Sequence, residues 1–176
     1  MVFYVSYQRP CGIVSDDYIN YLENNQVITC PWGHNLKDMI KIVNKEYTPE
    51  ARNQDKNFVD NLSIGDYIII PLPNREFLLK RVISNELKFI ESDLVMVTPN
   101  QQTRSIKIYT NNNYNNSYYQ GNNNYNKTNM IIGYKRCVNL GRFQHNYQIN
   151  KFGQLSFARL RNNDTINDVR RICNIH

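Results

Sequence analysis

The residues best suited to recognition chemistry sit together in Cys30-Pro31-Trp32-Gly33-His34, directly after the β-type run Val27-Ile28-Thr29. Trp32 is the one tryptophan of the chain. A flat indole can replace the stacking that a base loses on leaving a helix, worth ~1–3 kcal/mol per base. The same ring can equally fill a core. Gly33 would let a backbone approach a ligand, or would only supply a positive-φ turn. His34 offers ring nitrogens to a base edge, although most lone histidines do no such thing. Cys30 and His34 also pair a thiol with a base. On an extended strand they stand too far apart for contact, and no third group orients them, so a cysteine nucleophile is not expected. Tyr4 and Ser6 alternate onto one face of the opening run Val2–Tyr7. Cross-strand packing is a competing role for Tyr4.

Charge adds a second signal. The net charge is +6, and it is unevenly placed. Residues 1–95 hold 10 basic and 13 acidic side chains, whereas residues 96–176 hold 11 basic and two acidic ones. Such asymmetry favours a face that meets a polyanion over a merely soluble basic protein. Lys135, Arg136, Arg142, Arg159 and Arg161 are the expected phosphate-binding set, because phosphate contact needs only positive charge on the right face. No Gly-rich phosphate loop, H-E-x-x-H or paired-carboxylate motif is present, and an enzyme is not expected.

These side chains need elements to position them. Val2–Tyr7 reads as a strand. Ser15 is placed to cap a helix through Tyr18, Ile19 and Leu22. Leu36, Met39, Ile40 and Val43 form a short amphipathic stripe. Thr48-Pro49-Glu50 starts a helix expected to reach Leu62 and to bury Phe58, Val59 and Leu62. Asp66, after Gly65, should end a turn by accepting backbone N–H bonds. Tyr67–Pro71 is nearly continuously apolar and should be a central strand, with Glu76–Ser84 as its antiparallel partner. Shorter strands are expected near 87–90, 94–97 and 106–109, and another over 130–138. Residues 111–129, largely Asn and Tyr, should be an exposed loop insert. Leu155, Ala158 and Leu160 should sit in a short helix, and Thr165 should cap a last one. The expectation is a single α+β domain over 1–176, a β-barrel of five or more strands with short flanking helices.

In order and spacing these landmarks resemble the PUA-like β-barrel superfamily, specifically its EVE-type and Mrr N-terminal-type domains. The pattern rests on Ile28–Gly33, on Phe58 with Gly65-Asp66-Tyr67-Ile68-Ile69, on Arg136-Cys137-Val138, and on Leu155, Leu160 and Thr165-Ile166. The chain departs from it at Leu140, where the family often carries tryptophan. The resemblance implies a PUA-like barrel that holds a base, often a modified one, between aromatic side chains; in that superfamily the first strand borders the pocket, so the expected base pocket is Trp32, Tyr4, Ser6, Gly33 and His34. It also implies no catalytic machinery, since catalysis usually belongs to a fused nuclease or NTPase. The partner would be DNA or RNA, with or without a modified base, and a separate effector protein would be a second partner. No cofactor and no metal is called for.

Composition sets the remaining bounds. There are 28 asparagines, and with Ile, Lys and Tyr they suggest an AT-rich coding sequence, as in a large virus, a protozoan or a low-GC bacterium. Cys11, Cys30, Cys137 and Cys173 include no C-x2-C pair. No secretory h-region and no apolar run of ~18 residues is seen. The expectation is an intracellular protein, in the cytoplasm or nucleus, or in a host cell if viral, with reduced thiols. Two other functions stay open: a protein-interaction or structural module on the same barrel, and a small hydrolase or nuclease.

Overall fold

The structure is a computed structural model that describes residues 1–9, 15–30, 36–49, 52–99, 106–116, 125–145 and 157–176. The elements run β1 (Phe3–Ser6), α1 (Asp16–Asn25), β2 (Val27–Thr29), α2 (Leu36–Val43), α3 (Arg52–Lys56), a π-helical turn (Asn57–Asn61), β3 (Tyr67–Pro71), β4 (Glu76–Val82), β5 (Lys88–Pro99), β6 (Lys107–Thr110), α4 (Asn111–Asn115), β7 (Tyr125–Gln144), β8 (Phe157–Arg159) and α5 (Asn163–Cys173). No described helix is long and apolar enough to cross a membrane.

The fold is mixed α+β around one eight-stranded sheet in the order β6-β5-β7-β4-β3-β1-β8, with β2 added to β7. Among the described residues the sheet is not closed, so the expected barrel is not confirmed. The long strand β7 explains the difference. Its first half pairs with β5 and its second half with β4, while β2 pairs with its middle, Tyr134–Arg136. One strand thus spans two sub-sheets, and β6 and β8 end as edges of the path.

Alternation along β3 shows why it is central. Ile68 and Ile70 point into one cluster with Tyr4, Ile28, Met39, Phe58, Leu78 and Phe157. Tyr67 and Ile69 point to the other face, where Phe3, Phe77 and Val169 of α5 meet them. A strand buried on both faces needs apolar residues at every position, and Tyr67–Ile70 supplies them. A third cluster lies under α1, where Tyr18 and Leu22 cover Leu94, Ile108, Met130 and Ile132.

Local signals hold at several points. Ser15 caps α1, its Oγ accepting from the Tyr18 N–H at 3.2 Å. Asp66 accepts from the N–H groups of Val2 (2.7 Å) and Ser63 (3.0 Å), which locks the turn before β3 onto the start of β1. Phe58 and Leu62 are buried and Val59 is half-buried.

Several local expectations are corrected. Residues 111–129 are not one loop: Asn111–Asn115 form α4, and Tyr125–Asn129 pair with Val95–Pro99. Backbone pairing onto an existing strand needs no apolar side chains on the added residues, so low hydrophobicity did not exclude a strand there. Residues 157–159 are a strand on β1, not a helix, because β1 offers a free edge opposite β3. Leu155 lies outside the described residues. The cap of α5 is Asn162, whose Oδ1 accepts from Thr165 N at 3.0 Å; Thr165 lies inside the helix. The strands expected at 87–90 and 94–97 are one, β5, with an irregularity between Glu91 and Val95.

Candidate nucleic-acid interface

Of the expected base pocket, Trp32, Gly33 and His34 lie outside the described residues. The other two residues are core. Tyr4 is 3% exposed and stacks on Phe157, with ring centroids 5.3 Å apart. Its ring packs in the cluster of Ile28, Phe58, Ile68 and Phe157. Burial raises its phenol pKa, helped by Asp66 and opposed by Arg159. Ser6 is fully buried, and its Oγ accepts from Gln8 Nε2 at 2.5 Å. Gln8 Nε2 also donates to Thr29 O (3.2 Å), and Thr29 Oγ1 donates to Gln8 Oε1 (2.5 Å). Tyr18 OH closes the chain by bonding Thr29 Oγ1. Buried hydroxyls and amides need partners, and here they supply one another across β1, β2 and α1. Tyr4 and Ser6 are therefore not walls of an open pocket.

The five expected phosphate ligands divide. Lys135 is 1% exposed, and its Nζ donates to the carbonyls of Val59 (3.0 Å) and Leu62 (2.8 Å). Its ammonium closes the C-terminal carbonyls of the α3/π segment and cannot meet a polyanion from there. Burial lowers its pKa against the pull of Asp60 and Asp66. Arg142 is exposed but bonds Glu23 at 2.9 Å and reaches Glu76 at 4.0 Å. Arg136, Arg159 and Arg161 are exposed and form no ion pair among the described residues.

Two concavities bear on binding. A cleft of about 330 Å³ is lined by Gln8, Arg9, Asp16, Asn20, Glu76 and Arg142, among others. Its charges compensate: two arginines face two carboxylates, and Arg142 is already engaged. A smaller concavity of about 130 Å³ lies on the flank of α1, lined by Tyr21, Asn25, Val27, Ile90, Tyr134 and Arg136. It brings two tyrosines to one of the expected arginines. Sequence reasoning missed Tyr21 and Tyr134. The signal that could have found Tyr134 is its i−2 spacing from Arg136, which places both on one face of the strand. Tyr21 required the packing of α1 to be known.

Asp55 was missed as well. It is 4% exposed, and its Oδ1 has no hydrogen-bond partner. Burial pushes its carboxyl up to about 6. Burial also pushes the Cys137 and Cys173 thiols up to about 11, so neither is a thiolate at neutral pH. No group of three His, Cys, Asp or Glu that could hold a metal occurs among the described residues. Comparison with protein families, with curated proteins and with solved structures finds no match for this chain.

Proposed function

We propose that the chain is a nucleic-acid-binding module that grips phosphates with arginines and recognises an unstacked base, modified bases included, on the PUA-like, EVE-type plan that its landmarks resemble. One observation carries the reading: Arg136, Arg159 and Arg161 are exposed without an acidic partner among the described residues. Arg142, by contrast, is held by a carboxylate. Three arginines that are not, in a half of the chain with only two acids, leave a positive field that a polyanion satisfies. Trp32, Gly33 and His34 remain the proposed base-reading segment, without Tyr4 and Ser6. The role is equilibrium binding and not catalysis, inside the cell, with any chemistry left to a separate effector.

The test is a mobility shift with short DNA and RNA at two salt concentrations. Binding that weakens steeply with salt supports the reading. Salt-independent or absent binding removes it. A second reading, a protein-interaction module, is favoured by the exposed Ile40 (51%) and Val43 (52%) on α2. Loss of a captured protein partner on Ile40→Glu, with nucleic-acid binding absent, would select it.

A further inference from the structure

The concavity on the flank of α1 has a composition that the arginines alone do not explain. Its walls are Tyr21 from α1 and Tyr134 from β7, with Val27 and the half-exposed Ile90 beside them. Arg136 is the one charged residue among those that line it. The Tyr21 phenol is raised by burial, then by Tyr134 and Asp93, and stays neutral at physiological pH.

Each part is held on a rigid element. Tyr18 and Leu22 are buried beneath α1, which sets the helix against the sheet and turns Tyr21 onto its flank. Asn25 Nδ2 donates to Tyr21 O at 2.9 Å, which fixes the amide at the rim. Tyr134 is paired on both sides, with Thr29 of β2 and Lys88 of β5. Arg136 lies opposite Val27, and its carbonyl accepts from Ile83 N at 3.0 Å. Sites built on paired strands and packed helices keep their geometry better than sites on loops.

The dimensions restrict the occupant. About 130 Å³ is well below the roughly 300–1,000 Å³ of a pocket that encloses a drug-sized ligand. One planar ring system fits, while anything attached to it must stay outside. Aromatic walls favour a flat heteroaromatic ring by stacking, and such stacking tolerates any base. The exposed guanidinium at the mouth favours an anion on the part left outside. A phosphorylated heteroaromatic ring meets both conditions.

We propose that Tyr21, Tyr134 and Arg136 form a nucleotide site, in which one base enters between α1 and β7 and its phosphate meets Arg136. The site rests on the nucleic-acid reading above and names where one base of the strand is held.

The probes are adenosine monophosphate, adenosine, inorganic phosphate and a labelled single-stranded oligonucleotide, titrated against the whole chain. The monophosphate should bind more tightly than either adenosine or phosphate and should displace the oligonucleotide. Tyr21→Ala and Tyr134→Ala should each weaken oligonucleotide binding about tenfold, and Tyr134→Phe should keep most of it. Arg136→Gln should weaken the monophosphate and leave adenosine unchanged. Ile90→Glu changes an exposed side chain at the mouth, so it keeps the fold and should weaken binding by placing an anion there. That variant decides the matter if a tyrosine substitution unfolds the protein. Wild-type oligonucleotide affinity in Ile90→Glu, Arg136→Gln and any folded tyrosine variant would overturn the site while leaving the reading intact. No oligonucleotide binding by the wild type would overturn the reading itself, and the site with it.

Discussion

Asp55 is the residue whose energetics run against the fold. Its carboxyl is buried with one oxygen unpartnered, and its pKa rises from 3.8 to about 6. The protonated form is the one the fold tolerates. Between these two values the folded state binds more protons than the unfolded chain, so stability falls as pH rises. The contribution is fully present below about 3.8 and is gone above about 6. At neutral pH the ionised group costs roughly 2–3 kcal/mol. Asp55→Asn should therefore raise the urea midpoint at pH 8 and flatten its slope between pH 4 and 6. An unchanged midpoint and slope would show that Asp55 is solvated or paired. None of this was legible in the sequence, where Asp55 is one acid among several in an amphipathic stretch. Burial of a single carboxylate depends on what packs over it, and that is a tertiary fact. The turn role of Asp66 was legible, because Gly65-Asp66 before an apolar run makes a local turn and the bond from Ser63 N needs only neighbouring backbone; the bond from Val2 N, 64 positions away, was not.

At the scale of elements, two buried lysines close two helix ends. Lys80 is fully buried, and its Nζ donates to Leu22 O and Val27 O, both at 2.8 Å. The last turn of α1 carries no basic residue of its own, so a strand lysine supplies the cation that its C-terminal carbonyls attract. Lys135 does the same for Val59 and Leu62. Lys80→Met should cost about 2–4 kcal/mol in chemical denaturation, since it leaves buried carbonyls unmatched. A loss below about 0.5 kcal/mol would show the contacts to be incidental. The turn between β3 and β4 offers the opposite sign. Asn74 and Arg75 both have positive φ, 62° and 60°, a hairpin geometry that suits glycine at the second position. Arg75→Gly should raise the melting temperature slightly. A drop would mean that the Arg75 side chain contributes more than its strain costs. The strands β1, β3 and β4 were readable because their runs of aromatic, β-branched and other apolar residues, bounded by turn residues, are local signals. The edge strand β8 and the strand portion of the Asn/Tyr segment were not, because each is made by pairing with residues far away in sequence. Lys135 misled for the same reason: composition counts a charge without showing which way its strand faces.

At the scale of the molecule, two kinds of charged surface occur. In the cleft of Arg9, Asp16, Glu76 and Arg142 the charges compensate. Elsewhere Arg136 on β7, Arg159 on β8 and Arg161 just beyond it stand exposed without acidic partners among the described residues. The charge asymmetry between the halves of the chain was legible from composition, but which cations stay unpaired was not, since Arg142 finds Glu23 across 119 positions. The account's central claim is that these three arginines meet phosphate. The most direct measurement is the affinity of the wild type and of the Arg136→Gln, Arg159→Gln, Arg161→Gln triple variant for a short oligonucleotide, between about 50 and 200 mM salt. Removing one arginine–phosphate pair should reduce the slope of log affinity against log salt by roughly 0.7–0.9. The account predicts a steep slope for the wild type, lowered by about two to three in the triple variant with the fold retained. A wild type that binds without salt dependence, or a triple variant with the wild-type slope, would contradict it.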